Sequence, residues 1–473
     1  MSLTSFNYLL FLPVVFLLYW VVFSRNKTLQ NAFLLVASLV FYAFWDWRFL
    51  ALLLTTAATT FFIGRWTAAA QEKKKRKKIL LLSLVINLVI LFYFKYFGFF
   101  VDSFADLMSL FGLHVETPTL KVILPVGISF YTFAALSYCI DIYQRKIEPT
   151  DDWLAYFAYV TFFPSLLSGP IGRATTQLPQ YFTRRLFSYD TAVIGIKEIL
   201  WGVFVKLCVA DCLGVYVDTI YESVTSYNGT TLLFASVLYT IQIYADFSGY
   251  SLIAIGSGKL LGIDLPENFR RPYFAKTITE FWRRWHISLT TWFRDYIYFP
   301  LGGSRVKKSR WAFNTMVVFL VSGLWHGAAY TFIIWGALHG ALMILERLLY
   351  GKRLKTIPNR LCPANVIRIL ITFSLVSLAW IFFRLGTVEE AITTIGKIFT
   401  DLGHPFIDQG VLRPALISMA ILFVKDYVDE YRPNFCLLNN KHSVIRYATC
   451  VILICYILLM GELDGASFIY FQF

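Results

Sequence analysis

Long apolar runs separated by short polar links dominate the chain. The runs cover residues 5–23, 31–44, 49–66, 79–94, 124–141, 191–213, 231–261, 314–345, 366–383, 412–424 and 445–460. Because about 20 apolar residues cross the hydrocarbon core of a bilayer, this pattern predicts an all-α polytopic membrane protein. We expect roughly 10–12 transmembrane helices with additional re-entrant or interfacial helices. They would form a single integral-membrane domain over residues 1–473.

The composition weighs against a soluble protein. Hydrophobic residues make up 58% of the chain and charged residues only 15%, whereas soluble domains carry roughly 25% charged residues. The first run lacks a charged leader and a small-residue cleavage site, so we expect it to remain as the first helix. The seven cysteines show no metal-ligand spacing, and neither a disulfide nor a metal site is predicted.

Basic residues give an orientation. A net charge of +14 would indicate a nucleic-acid partner in a soluble protein, but in a membrane protein Lys and Arg mark cytoplasmic loops. The basic run at residues 73–78 therefore predicts a cytoplasmic loop, an external N terminus and no nucleic-acid partner. Basic links at 173–185 and 305–310 are assigned to the same side. Capture of a phosphate-bearing acyl donor by the run 73–78 stays open as an alternative.

Two segments place proline and glycine at membrane depth. Residues 125–133 (Pro-Val-Gly-Ile-Ser-Phe-Tyr-Thr-Phe) predict a bent helix, and residues 162–173, with two prolines and two glycines, predict a broken one. Irregular backbone at this depth is tolerated only where protein or a water-filled cavity covers it. We therefore expect neighbouring helices or a water-filled cavity to cover both segments.

Three titratable side chains are candidates for a functional site: two lie within apolar runs, and the third ends a segment rich in arginine and tryptophan. Asp246 lies in the segment 244–250 (Tyr-Ala-Asp-Phe-Ser-Gly-Tyr), and His326 in 322–327 (Ser-Gly-Leu-Trp-His-Gly). His286 ends the segment 281–286 (Phe-Trp-Arg-Arg-Trp-His), which is typical of a re-entrant or interfacial element. Titratable groups inside a membrane are costly and usually functional. For Asp246 the alternative is a structural carboxylate bonded to Tyr, Ser or Arg.

The surroundings of the two histidines give more local expectations. Glu280 and Arg284 have the spacing of an ion pair within a short helix. Trp282, Trp285 and Trp292 are predicted to anchor this element at the headgroup level. The run 314–345 is predicted to break, if it breaks, at one of its glycines, Gly323 or Gly327.

The remaining histidines serve as internal comparisons. His339 would lie about 20 Å from His326 along a continuous helix, so both can belong to one reaction centre only if the helix breaks. His114, His404 and His442 fall in predicted loops and are expected to be solvated.

Histidine suits proton transfer inside a membrane. Its neutral ring costs far less to bury than a fixed charge, and its unperturbed pKa near 6.5 permits proton transfer near neutral pH. Acyl transfer from a thioester needs this step together with donors for the developing oxyanion. Because no nucleophile motif is evident, direct attack by the acceptor is favoured over a covalent acyl-enzyme.

Five sequence blocks in order resemble the membrane-bound O-acyltransferase family. They are residues 125–133, Phe163-Pro164 with 169–171 (Gly-Pro-Ile), 244–250, 281–286 and 323–327 (Gly-Leu-Trp-His-Gly). The similarity covers essentially the whole chain and is greatest to the bacterial alginate and peptidoglycan O-acetyltransferase branch, including the opening residues 1–20 and the closing residues 468–473.

The resemblance implies a funnel-shaped helical bundle around a buried catalytic histidine in the bacterial cytoplasmic membrane. It assigns catalysis to His326 and His286. It also implies an acetyl group passing from a cytoplasmic thioester, acetyl-CoA as donor substrate with no bound cofactor, to an external polysaccharide or a periplasmic acetyltransferase partner. Residues with supporting or tunnel-lining roles are expected to be Trp325, Asp246, Tyr244, Ser248, Arg283, Arg284, Trp285 and Ser322.

Three alternatives remain. The teichoic acid D-alanyl-transfer branch shares the histidine blocks but takes its acyl group from a carrier protein. A proton-coupled transporter could use Asp246, His286 and His326 as a path, although no inverted repeat is apparent in the sequence. A scaffold that only recruits an external enzyme would tolerate loss of both histidines.

Overall fold

A computed structural model describes residues 1–113, 123–351, 357–358, 360–432, 437–462 and 468–469. The described part of the chain is helical and contains no strand. Its first ten α-helices are α1 (Phe6–Leu17), α2 (Lys27–Asp46), α3 (Leu50–Ala69), α4 (Lys73–Lys95), α5 (Phe97–Leu110), α6 (Ile128–Tyr143), α7 (Trp153–Val160), α8 (Phe163–Leu166), α9 (Ala174–Gln177) and α10 (Tyr189–Phe204).

The second half of the chain continues with ten more. They are α11 (Cys212–Tyr221), α12 (Gly229–Leu260), α13 (Ile278–Arg284), α14 (Ile287–Phe293), α15 (Lys308–His326), α16 (Tyr330–Tyr350), α17 (Pro363–Arg384), α18 (Val388–Thr400), α19 (Gln409–Tyr431) and α20 (Ser443–Met460). Wider π-helical turns extend α1 through Leu18–Val22, join α10 to α11 through Val205–Asp211 and follow α14 at Arg294–Tyr298.

The helices confirm the predicted all-α polytopic membrane protein. Within the described ranges, five helical segments are long and apolar enough to cross a membrane: Lys27–Ala69, Lys73–Lys95, Tyr330–Tyr350, Pro363–Arg384 and Ser443–Met460. The predicted total of about 10–12 spans and the funnel stay predictions.

Residues 1–196 with 253–266 form one compact unit. Here α6 begins only at Ile128, after Gly127 with a φ of 81°, so Pro125 and Gly127 precede the helix and the predicted bend within it is wrong. The predicted break at 162–173 is confirmed, because α8 has only four residues.

In the basic run 73–78, Arg76 is buried and donates to the carbonyls of Ile142 and Tyr143 at the end of α6.

Residues 197–252 with 267–473 form the second compact unit. It contains every side chain that the sequence marked as a site candidate. Its interior is rich in large aromatic side chains, and Trp285, Trp335 and Trp380 are fully buried there.

Candidate active site

His326 is the last residue of α15. Gly327 follows in extended conformation, and α16 starts three residues later at Tyr330. The apolar run 314–345 is therefore a helical hairpin and not one span. The chain breaks at Gly327, which is one of the two glycines predicted for a break.

Small residues hold the two arms of this hairpin together. A Cβ atom at Gly336 would overlap the carbonyl oxygen of Phe319, and one at Gly323 would overlap that of Phe332. Only glycine permits this backbone approach. The antiparallel contact fixes where the end of α15, and with it His326, lies against α16.

His286 lies at the junction of two short helices, α13 and α14. Thr277 caps α13 by accepting a hydrogen bond from the backbone N–H of Glu280 (3.0 Å). The backbone of His286 is left-handed, with a φ of 42°. A non-glycine residue in this conformation is uncommon, and such residues concentrate at functional sites.

Asn268 fixes the turn at His286. Its carbonyl oxygen accepts from the N–H of Ile287 (2.9 Å) and its amide oxygen from the hydroxyl of Ser288 (2.6 Å). Its amide nitrogen donates to Ser251 in α12 (3.0 Å). Asn268 is 1% exposed, so these bonds form without competition from solvent and hold the strained residue in place.

The two histidine rings are neighbours. Their centroids are 6.4 Å apart, and the residues are 1% and 3% exposed. Trp325 lies beside both, 5.8 Å from the ring of His286 and 4.9 Å from that of His326. The structure therefore brings together three residues that the sequence selected in blocks about forty positions apart.

Aromatic side chains surround this pair. Phe247 lies 4.6 Å from His286, and Trp335 and Phe383 lie 5.0 Å and 5.1 Å from His326. The two imidazoles therefore sit in weakly polar surroundings, where electrostatic interactions are stronger than in water.

His339 is much nearer to His326 than a continuous helix would allow. Because the chain reverses after Gly327, both rings lie 5.0 Å from the ring of Trp335. His404 and His442 are exposed, as predicted, and His114 is outside the described residues.

Of the two arginines that precede Trp285 and His286, Arg284 binds glutamates and Arg283 is exposed. Arg284 forms the predicted ion pair with Glu280 (2.6 Å) and a second with Glu430 (2.8 Å), which also binds Arg271 (2.8 Å). Burial raises the pKa of Glu430, but hydrogen bonds from Arg284 and Arg271 outweigh this effect and lower the pKa to about 2. Glu430 is therefore ionised at neutral pH and links α13 to α19.

The tryptophans predicted at the headgroup level are inside the protein. Trp282, Trp285 and Trp292 are 6%, 0% and 5% exposed. That expectation is wrong because these indoles pack against other aromatic rings of the same unit, such as Trp380 against Trp285 at 5.0 Å.

Asp246 belongs to a buried charge cluster. Lys206 forms ion pairs with Asp246 (2.7 Å) and with Asp211, and all three residues are at most 5% exposed. The backbone N–H of Ile469 also donates to Asp246 (2.8 Å). The expected Tyr, Ser or Arg partner is thus replaced by a lysine. The signal was available, since Lys206 lies within the apolar run 191–213.

Three further candidates, Tyr244, Ser248 and Ser322, are buried. Tyr244 donates to Asp426 (2.8 Å), and its ring is 6.4 Å from that of Trp285. Ser248 and Ser322 are 6% and 5% exposed in α12 and α15. The sequence reasoning missed Trp335, Phe383 and Asn268, because their roles depend on which helices meet.

The fold is that of a helical membrane protein, and its second unit contains a pair of buried histidines. The model of the MBOAT, membrane-bound O-acyltransferase family, matches residues 39–383, which is more than half of the chain. The chain belongs to this family, and the protein is a membrane acyltransferase.

Several curated relatives are similar over most of the chain. The probable alginate O-acetylase AlgI of Pseudomonas putida is 38% identical over 392 residues, covering 83% of this chain and 78% of the relative. The peptidoglycan O-acetyltransferase of Helicobacter pylori is 33% identical over 416 residues, covering 81% and 77%. The teichoic acid D-alanyltransferase of Bacillus subtilis is 29% identical over 271 residues, covering 54% and 68%. The alginate and peptidoglycan relatives support membrane O-acetylation.

Proposed function

We propose that the protein moves an acetyl group from acetyl-CoA on the cytoplasmic side to a hydroxyl of an extracytoplasmic polysaccharide, or to a periplasmic acetyltransferase partner. Its location is the cytoplasmic (inner) membrane of a bacterium. The O-acetyltransferase relatives support the acetyl group and the polysaccharide, and the basic run 73–78 supports the orientation of the chain that this transfer requires.

The observation that carries the proposal is the pair of buried imidazoles, 6.4 Å apart. In this mechanism the oxygen of the acceptor hydroxyl attacks the thioester carbonyl while His326 accepts the proton of that hydroxyl. The new C–O bond forms, the C–S bond breaks, and His326 returns the proton to the departing thiolate. His286, held by Asn268, orients the reacting groups from the other side.

The two histidines are tested by substitution. His326→Ala is expected to lower transfer by roughly 10²–10⁴-fold, the range for loss of a positioned acid or base. His286→Ala, which removes an orienting side chain, is expected to lose most of the activity. Polymer-bound acetate is measured in cells that contain equal amounts of each variant in the membrane. His442→Ala, at an exposed histidine, is the matched control and should behave as wild type.

Acetate at the wild-type level in His326→Ala cells would refute the proposed mechanism, and full activity of His286→Ala would leave that residue a structural role.

The donor is tested with purified protein in liposomes, using labelled acetyl-CoA and a labelled carrier-bound D-alanyl thioester. Transfer from the carrier alone would favour D-alanylation. Solute flux without any acyl donor would favour a transporter.

A further inference from the structure

His339 is a third buried histidine, next to the proposed reaction centre. It is fully buried, and Trp335 separates it from His326. Its other neighbours are aromatic rings on three helices: Phe281 at 6.3 Å, Trp282 at 4.9 Å, Phe319 at 6.3 Å and Trp380 at 6.2 Å between centroids. Packing alone would favour phenylalanine at this position, because the surroundings are aromatic.

Unsatisfied polar atoms accumulate around this ring. Within the described part of the chain, neither ring nitrogen of His339 has a hydrogen-bond partner, and the same holds for the indole nitrogens of Trp282, Trp335 and Trp380. Such atoms are costly when buried and are normally satisfied, often by ordered water. A neutral imidazole offers one donor and one acceptor, so the cluster presents four donors and one acceptor, enough partners for a buried water.

We propose that His339 is a positioning residue of the acyl-transfer site. Together with the indole N–H groups of Trp282, Trp335 and Trp380 it binds ordered water, and this hydrated cluster fixes the ring of Trp335 against which His326 lies. The inference rests on the proposed role of His326. A small displacement of a catalytic group lowers the rate of the chemical step strongly, so His339 affects kcat more than the KM for the acyl donor.

The matched variants are His339→Phe and His339→Gln. Phenylalanine fills the aromatic cage without polar atoms, whereas glutamine keeps a donor and an acceptor. We expect His339→Phe to fold with an unfolding temperature at or above that of wild type and to lose at least about tenfold in kcat, with KM within about twofold. His339→Gln should recover part of kcat. Wild-type kcat in folded His339→Phe would overturn the inference.

Should His339→Phe yield no folded protein, Trp335→Phe replaces it, since it removes the indole N–H and keeps an aromatic ring. A folded Trp335→Phe enzyme with wild-type kcat would equally overturn the inference. His326→Ala is assayed in parallel. An inactive His326→Ala with a fully active His339→Phe refutes only the role of His339, whereas an active His326→Ala refutes the proposed function itself.

Discussion

At the scale of single residues, the buried ion pairs of Lys206 predict a large effect of this side chain on stability. It pairs with Asp211 and Asp246 in a site from which solvent is excluded. Removing one partner of a buried ion pair leaves an uncompensated charge and typically costs ~3–5 kcal/mol. We therefore expect Lys206→Met to lower the free energy of unfolding by about this amount, measured by thermal unfolding in detergent.

Two further variants make this measurement specific. Lys27→Met breaks a partly exposed pair with Asp152 and should cost no more than about 1 kcal/mol. Lys206→Met combined with Asp246→Asn removes one of the two carboxylates that lose their lysine partner and should regain part of the lost stability. An unchanged unfolding temperature in Lys206→Met would contradict the role of the cluster.

Individual side chains were predictable where their chemistry is unusual for the surroundings. Asp246 and His326 stand out because charged or titratable groups are rare in apolar runs, and His286 because it ends a segment rich in tryptophan and arginine. All three are buried in the structure. Their contacts were not predictable in the same way. Asn268 is an ordinary polar residue in a short link, and nothing local indicates that it holds the turn at His286.

At the scale of elements, the hairpin of α15 and α16 determines the geometry around His326. Gly336→Ala should disrupt this contact, because the new methyl group would overlap the carbonyl oxygen of Phe319. We expect a loss of roughly 1–3 kcal/mol from overpacking and a lower rate of acetyl transfer. The unfolding temperature and the rate are measured on the same purified protein.

Gly396→Ala is the matched control. Gly396 lies within α18, and a Cβ atom there would meet nothing within 4 Å. Alanine at such a position stabilises a helix by about 0.4–1 kcal/mol. If both variants behaved alike, close packing at Gly336 would not explain the hairpin.

Hydrophobicity along the chain predicted the helices but not how they turn. The first helix and the pair of helices on either side of residues 46–48 follow directly from the apolar runs. The run 314–345 looks like one span because Gly327 and its neighbours are small and apolar. The reversal depends on glycines that permit close contact between α15 and α16, which is a tertiary effect.

At the scale of the whole molecule, the hairpin has a consequence for orientation. Because α16 returns along α15, the links before α15 and after α16 should lie on the same side of the membrane. The link 351–362 carries four basic residues, as expected for the cytoplasmic side. The single span Pro363–Arg384 should then bring Glu389 to the opposite side.

Cysteine labelling checks this orientation. In a cysteine-free background, Lys307→Cys and Arg360→Cys should react with a membrane-impermeant maleimide only after access to the cytoplasm is opened. Glu389→Cys should react in intact cells. All three side chains are exposed, and permeabilised cells provide the control for reactivity. Labelling of positions 307 and 360 from different sides would contradict the orientation.

The left-handed backbone at position 286 limits which amino acids evolution can place there. Glycine, asparagine and aspartate adopt this conformation at little cost, whereas β-branched residues do so with difficulty. Of the three, asparagine alone keeps a neutral side chain with both a donor and an acceptor. A natural or designed replacement that preserves both the main-chain path and some hydrogen-bonding capacity is therefore expected to be asparagine. An alanine exchange at this site alters backbone preference as well as the missing ring.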